Sequence, residues 1–167
     1  MARPLLTLLS PRLVLGLMAL ACLSSVGFAL YAQHGLGMQP CPWCVLQRIL
    51  FLLIAVLAGL GALSGHKLLA SLTSVLVIPA GVSGIASGLY QHFVAAKSAS
   101  CDLTLADRII SGLQLDARWP EIFEVRSSCA DAAVDLLGIP FEFWSVAMFA
   151  LLIVAAGWCL ARLRGTN

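Results

Sequence analysis

The stretch Val45-Leu46-Gln47-Arg48-Ile49-Leu50-Phe51-Leu52-Leu53-Ile54-Ala55-Val56-Leu57-Ala58-Gly59-Leu60-Gly61-Ala62-Leu63 decides the fold. A helix needs roughly 20 apolar residues to cross the hydrocarbon core of a bilayer, and beyond its first turn this stretch carries no charge. Three further runs have the same character: Leu13 to Ala32, Leu68 to Leu89 and Phe143 to Leu160. A membrane barrel would instead show alternating segments of about ten residues. The chain therefore reads as an all-α membrane protein, a single domain over residues 1–167 built as a four-transmembrane-helix bundle. Two loops, about 34–44 and 91–142, lie on one side of it, and the second is long enough to carry a short interfacial helix. Composition agrees: 11% of the residues are charged, against about 25% in soluble domains.

Arg3 and Arg12 precede the first run, and Ala19-Leu20-Ala21-Cys22 has the look of a lipoprotein cleavage site. The apolar stretch nevertheless continues to Tyr31, too long for a signal core, so a retained helix is expected. All eight acidic residues fall between Cys101 and Glu142, whereas Arg3, Arg12, Lys67, Arg162 and Arg164 occupy the termini and the short second connection. The positive-inside rule then puts both termini in the cytoplasm and the two loops on the opposite face. Cys41, Cys44, Cys101 and Cys129 share that face, where disulfides persist. The net charge of +2 is spread over both faces, which gives no reason to expect a nucleic-acid partner.

The second run is entered through Pro40-Cys41-Pro42-Trp43-Cys44. Two cysteines so spaced can close a small disulfide, bind a metal or act as a redox couple, and spacing alone does not choose. A thiolate at a helix start is favoured by unpaired N–H groups and the helix dipole. Arg48 follows Cys44 by four residues, which sets its guanidinium on the same helical face one turn on. Its plainer reading is an anchor at the membrane interface. Cys22 and Cys159 lie mid-membrane and read as packing residues.

Ser64-Gly65-His66-Lys67 forces helices two and three into an antiparallel hairpin. Pro79, Gly81 and Gly84 imply a kink and close helix approach in the third. That helix ends in Tyr90-Gln91-His92, which puts His92 at the level of Arg48. Farther on, Asp102 or Thr104 can cap a short helix with Leu103, Ala106, Ile110 and Leu113 near one face, suited to lie on the membrane surface. The glycines, serines and Trp119-Pro120 of the loop imply mobility, and a Cys101–Cys129 disulfide could simply staple it. Structural zinc sites take their cysteines as two close pairs, and Cys101 and Cys129 are not one, so no metal is expected. A mobile cysteine pair that visits a rigid one could instead relay electrons by thiol exchange. From a membrane-level Cys44 beside Arg48 the reachable reservoir is a lipid-soluble quinone.

Pro40-Cys41-Pro42-Trp43-Cys44 with Gln47-Arg48, then Cys101-Asp102, Trp119-Pro120, Cys129 and Asp135-Leu136-Leu137-Gly138 before Trp144, resembles the disulfide bond formation protein B family of bacterial inner membranes over nearly the whole chain. The resemblance implies a multi-pass protein with cytoplasmic termini that reoxidises a periplasmic dithiol oxidase, disulfide bond formation protein A, and reduces ubiquinone or menaquinone. By position it implies that Cys101 forms the mixed disulfide with the partner, Cys129 resolves it, Cys41 exchanges with the loop pair and Cys44 meets the quinone. Arg48 would polarise that quinone, with His92 close by. Gln47 stands where some members have an acid, which argues against proton handling there, and Val134 stands where an aromatic is common. Two other readings share the pattern: a vitamin K epoxide reductase-like enzyme, and a non-catalytic scaffold braced by two disulfides.

Overall fold

Proline and a side-chain cap start the first two spans in the same way. At α1 (Pro11–Gly35) the Ser10 hydroxyl accepts from the Leu13 N–H at 3.2 Å, with Pro11 in the first turn. At α2 (Pro42–Leu63) the sulfur of Cys41 is the cap, accepting from the Cys44 N–H at 3.3 Å, with Pro42 in the first turn. Proline is tolerated there because its missing N–H would have had no helical acceptor. The CxxC stretch is thus itself the helix start. The computed structural model describes residues 10–97 and 104–165. Within them α3 (Lys67–Phe93) and a last long helix, Phe141–Arg164, complete four spans of sufficient length and apolarity to cross a membrane. Each extends a few residues beyond its apolar run.

Between α3 and the last helix the chain forms a 3₁₀ turn (Ala95–Lys97), α4 (Leu105–Gly112), α5 (Leu115–Arg118), α6 (Pro120–Phe123) and a two-stranded hairpin of β1 (Asp135–Leu136) and β2 (Ile139–Pro140). The last helix is therefore α7 (Phe141–Arg164). The strands are antiparallel, Asp135 opposite Pro140 and Leu136 opposite Ile139. Leu137 at φ 58° and Gly138 at φ 78° make their left-handed turn, the kind that matches strand twist.

Around the bundle α1 packs on α2, α2 on α3 and α3 on α7, while the α7–α1 seam is thinner. Glycine explains the α3–α7 contact. A Cβ on Gly84 would lie 2.5 Å from the Phe149 ring, and one on Gly88 2.6 Å from Val146. The close approach expected of this helix is therefore present, and α3 continues unbroken through Pro79. Phe149 in turn stacks on Phe51 of α2 at 4.1 Å between centroids. Cys22 and Cys159 are fully buried in the same core.

Contacts across the bundle identify its two ends. Arg12 donates to the Gly65 carbonyl of the α2–α3 turn, and the Cys159 thiol reaches the Pro11 carbonyl at 3.7 Å. At the other end the Arg126 N–H donates to the Pro40 carbonyl at 3.0 Å, joining the two loops. Arg12, Lys67, Arg162 and Arg164 share the first end, and every acidic residue described belongs to the second.

Thr104 caps α4 in a reciprocal box with Asp107, two residues beyond the alternative cap Asp102, which with Leu103 and Cys101 lies outside the described residues. The apolar face of α4 packs on protein through two of its residues, while Leu113 beside it stays exposed. Ala106 is buried with Cys41, Trp43 and Cys129, and Ile110 with Val45 and Phe123. Burial of these two side chains against the start of α2 removes apolar surface from water and seats α4 beside the CxxC turn.

Candidate active site

The helix start holds the CxxC sulfurs 2.8 Å apart, but it presents them to different surroundings. Cys41 is fully buried and faces the loop, packed in one cluster with Cys129. Cys44, one turn into the helix, lines a cavity instead. In the Cys41–Cys129 contact the proton favours Cys41. Its bonds with Cys129 and Cys44, reinforced by burial, hold its thiol well above the ordinary value. The same bond from Cys41, aided by the Trp43 N–H, holds Cys129 below it despite burial. Of these two sulfurs Cys129 is therefore the one on which negative charge is favoured, and thiolates are the nucleophiles of disulfide exchange. The other loop cysteine, Cys101, is outside the described residues.

The cavity holds about 480 Å³ and sits at the α1–α7 seam with α2 behind it. Phe28 and Trp144, each nearly half exposed, form its rim. Its walls are mostly apolar, Val134 and Leu136 of the loop among them, and its polar groups converge on Cys44. Gln91 donates from Nε2 to the Cys44 sulfur at 3.3 Å. Gln47 donates from its own Nε2 to Gln91 Oε1 at 2.9 Å, which fixes the orientation of the Gln91 amide. Both amides are almost completely buried. Gln47, one turn from Cys44, is therefore a support for Gln91.

Arg48 is 5% exposed and lines the same cavity. A buried guanidinium requires acceptors, and it finds them in sequence-distant groups. Its Nη1 donates to Gln33 Oε1 at 2.7 Å and to the Ile122 carbonyl at 2.8 Å, and its Nη2 to the Ala29 carbonyl at 3.5 Å. The loop expected to move freely is tied down here, because α6 supplies one of those acceptors. Beside it His34, still in the last turn of α1, bonds Glu121 at 3.1 Å, and Arg126 bonds Glu124 at 2.9 Å.

His92 lies behind the cavity rather than in its wall. Its Nδ1 is 2.7 Å from Glu142 Oε1, and Glu142 reaches the cavity. Sequence reasoning did not single out Gln33, Gln91 or Glu142 as site residues. The available signal was polarity at the ends of apolar runs, which in a membrane bundle marks inward-facing groups. Among the described residues no group of three or more metal-ligating side chains is gathered.

Fold and site together define a multi-pass membrane protein with Cys41, Cys44 and Cys129 collected at one end of a four-helix bundle. Residues 11–159 match the family model of disulfide bond formation protein DsbB, and the chain belongs to that family. It is 34% identical to disulfide bond formation protein B of Pseudomonas syringae pv. tomato, covering 89% of this chain and 88% of that one. Disulfide bond formation protein B 1 of Pseudomonas putida is 35% identical over 86% of each, and the Burkholderia pseudomallei protein 32% identical over 96% and 95%. This is accordingly a membrane protein of disulfide bond formation, with a disulfide oxidoreductase role.

Proposed function

We propose that the chain reoxidises a periplasmic dithiol oxidase of the disulfide bond formation protein A type and delivers the electrons to ubiquinone or menaquinone in the bacterial inner membrane. The observation that carries this is the division of the CxxC pair, with Cys41 against the loop thiol Cys129 and Cys44 against an apolar cavity. A volume of about 480 Å³ is within the roughly 300–1,000 Å³ of small-molecule sites. Its lining suits a quinone: apolar walls for ring and tail, and Arg48 as a cationic donor for a ring oxygen. The basic end of the bundle supports cytoplasmic termini.

The exchange follows from the sulfurs. A partner thiolate attacks Cys101 of a Cys101–Cys129 disulfide, and Cys129 leaves as thiolate. Cys129 attacks Cys41 of a Cys41–Cys44 disulfide, and Cys44 leaves as thiolate toward the cavity. The Gln91 amide, the helix start and the Arg48 charge receive that negative sulfur. A quinone bound in the cavity supplies a two-electron, two-proton acceptor. The partner's second thiolate then attacks its own sulfur in the mixed disulfide and releases Cys101, and Cys101 attacks Cys129 of the Cys41–Cys129 bond, which restores the loop disulfide and frees Cys41. The partner is thereby oxidised, and the CxxC pair is left as a dithiol to be reoxidised.

The test is ubiquinone, and separately menaquinone, reduction by the purified protein in detergent, driven by a reduced thioredoxin-fold dithiol partner, with Cys44→Ser as control. Quinol formed by the native protein and not by the variant is the expected result. Disulfides that stay oxidised, with no quinol from either quinone, would leave only the braced scaffold.

A further inference from the structure

We propose that Glu142 is the proton-transfer residue of the cavity and that His92 connects it to the aqueous face. The inference rests on the quinone reading and adds the route of the protons. Closing the Cys41–Cys44 disulfide releases two electrons and two protons, and reduction of a quinone to quinol takes up the same numbers. Electrons pass through sulfur. Cys44 leaves as a thiolate and so carries no proton to the ring, and Cys41 does not line the cavity, so the protons must reach the ring oxygens from another group on the cavity wall.

Glu142 is the carboxyl group among the described residues of that wall. Arg48 keeps its proton, and the amides of Gln47 and Gln91 do not exchange theirs in this range. Glu142 is 3% exposed, its Oε1 bonds His92, and its Oε2 has no partner among the described residues. A carboxylate in the first turn of α7 gains from the helix dipole, but that gain needs no burial. An unpartnered buried carboxyl oxygen is unfavourable, and it persists here beside a cavity and bonded to a second titratable group. His92 is clasped by Phe93 and Phe143, each with centroid 4.8 Å away, and its side chain remains 31% exposed. One end of the dyad meets the cavity wall and the other meets the outside. A proton taken from water by His92 passes along the 2.7 Å bond to Glu142 and on to the quinone, the next water proton restores the pair, and a second passage supplies the second proton of the quinol.

The other titratable or charged groups around the dyad are Cys44 and Arg48 on α2, Lys97 with its Nζ over the Phe93 ring, and exposed Asp135 on the hairpin. None of these is shown bonded to Glu142.

The test uses Glu142→Gln, Glu142→Asp and His92→Asn in the full-length protein. Infrared difference spectra over a pH titration, taken without quinone, read the carboxyl directly. A titrating C=O band that is lost in Glu142→Gln and displaced in His92→Asn is expected. Single-turnover quinol formation from the dithiol form should then slow about 100-fold in Glu142→Gln, the low end of what a positioned acid–base group contributes. Its pH dependence should flatten, and Glu142→Asp should recover much of the rate. A Glu142→Gln protein with native rate and pH profile overturns the inference, as does a carboxyl band indifferent to His92. If Glu142→Gln does not fold, the His92→Asn band and the Glu142→Asp pH profile decide alone. Failure of the native protein to reduce any quinone, with thiol exchange intact, instead removes the function on which the inference rests.

Discussion

The amide of Gln91 stands 3.3 Å from the sulfur of Cys44 and is held there by Gln47 at 2.9 Å. A hydrogen bond to a charged group is worth about 1.5–3 kcal/mol, so its loss should be visible in sulfur chemistry. Gln91→Leu is expected to slow alkylation of Cys44 at neutral pH about tenfold. Gln47→Leu, which only frees the Gln91 amide to rotate, should have the smaller effect. Mass-spectrometric rates on the reduced protein check the order, and equal rates in all three would discard the amide pair as a thiolate support.

The Cys41–Cys129 contact predicts a pH signature. Cys129 is held below the ordinary thiol value, chiefly by its bond from Cys41. As pH falls, its alkylation should therefore persist after that of an ordinary thiol has ceased. Cys41→Ala removes the leading cause, so the Cys129 profile should move to higher pH. A profile unmoved by that substitution would assign the effect to the Trp43 N–H instead.

Arg48 joins two functions that a substitution would separate. Arg48→Met leaves Gln33 Oε1 and the Ile122 carbonyl without their donor, so amide exchange around 120–126 should accelerate. Ubiquinone affinity should fall by about tenfold or more, the value of one charged hydrogen bond, with a much smaller change in partner affinity. Equal loss of both affinities would contradict the cavity role given to Arg48.

Packing of α3 on α7 can be tested independently of redox chemistry. A Cβ at Gly84 meets the Phe149 ring at 2.5 Å, whereas nothing lies within 4 Å of one at Gly59. Gly84→Ala should lose about 1–3 kcal/mol, as overpacked cores do, and lower the unfolding temperature in detergent. Gly59→Ala should be neutral or stabilising, since alanine is the better helix former.

The spans were legible because membrane helices announce themselves locally, in unbroken apolar runs such as Val45 to Leu63. Cys41, Cys44 and Arg48 were legible for the same reason, their spacing of three and four residues placing them along one helical face. The network around them was not. The acceptors of Arg48 are Gln33, on another span, and the backbone carbonyl of Ile122, a group every residue possesses. His92 was marked as lying near the chemistry, but its link to Glu142 spans 50 positions and carries no local pattern. The turn at Leu137-Gly138 was visible as a motif, yet the hairpin it closes is only two residues per strand.

Of the four neighbouring pairs in the bundle, three are sewn together by chain: α1 to α2, α2 to α3 and, through the long loop, α3 to α7. The fourth, α7 with α1, has no covalent stitch, and among the described residues it is held by the Cys159 thiol on the Pro11 carbonyl at the end away from the loops and by the Phe28 ring stacked on Phe141 at 6.3 Å beside the cavity. The molecule is bound like a book, with α2 and α3 as its spine and the first and last spans as covers. Because no loop crosses between the two covers, the cavity that lies between them is bounded on that side by side chains alone, Phe28 and Trp144 among them.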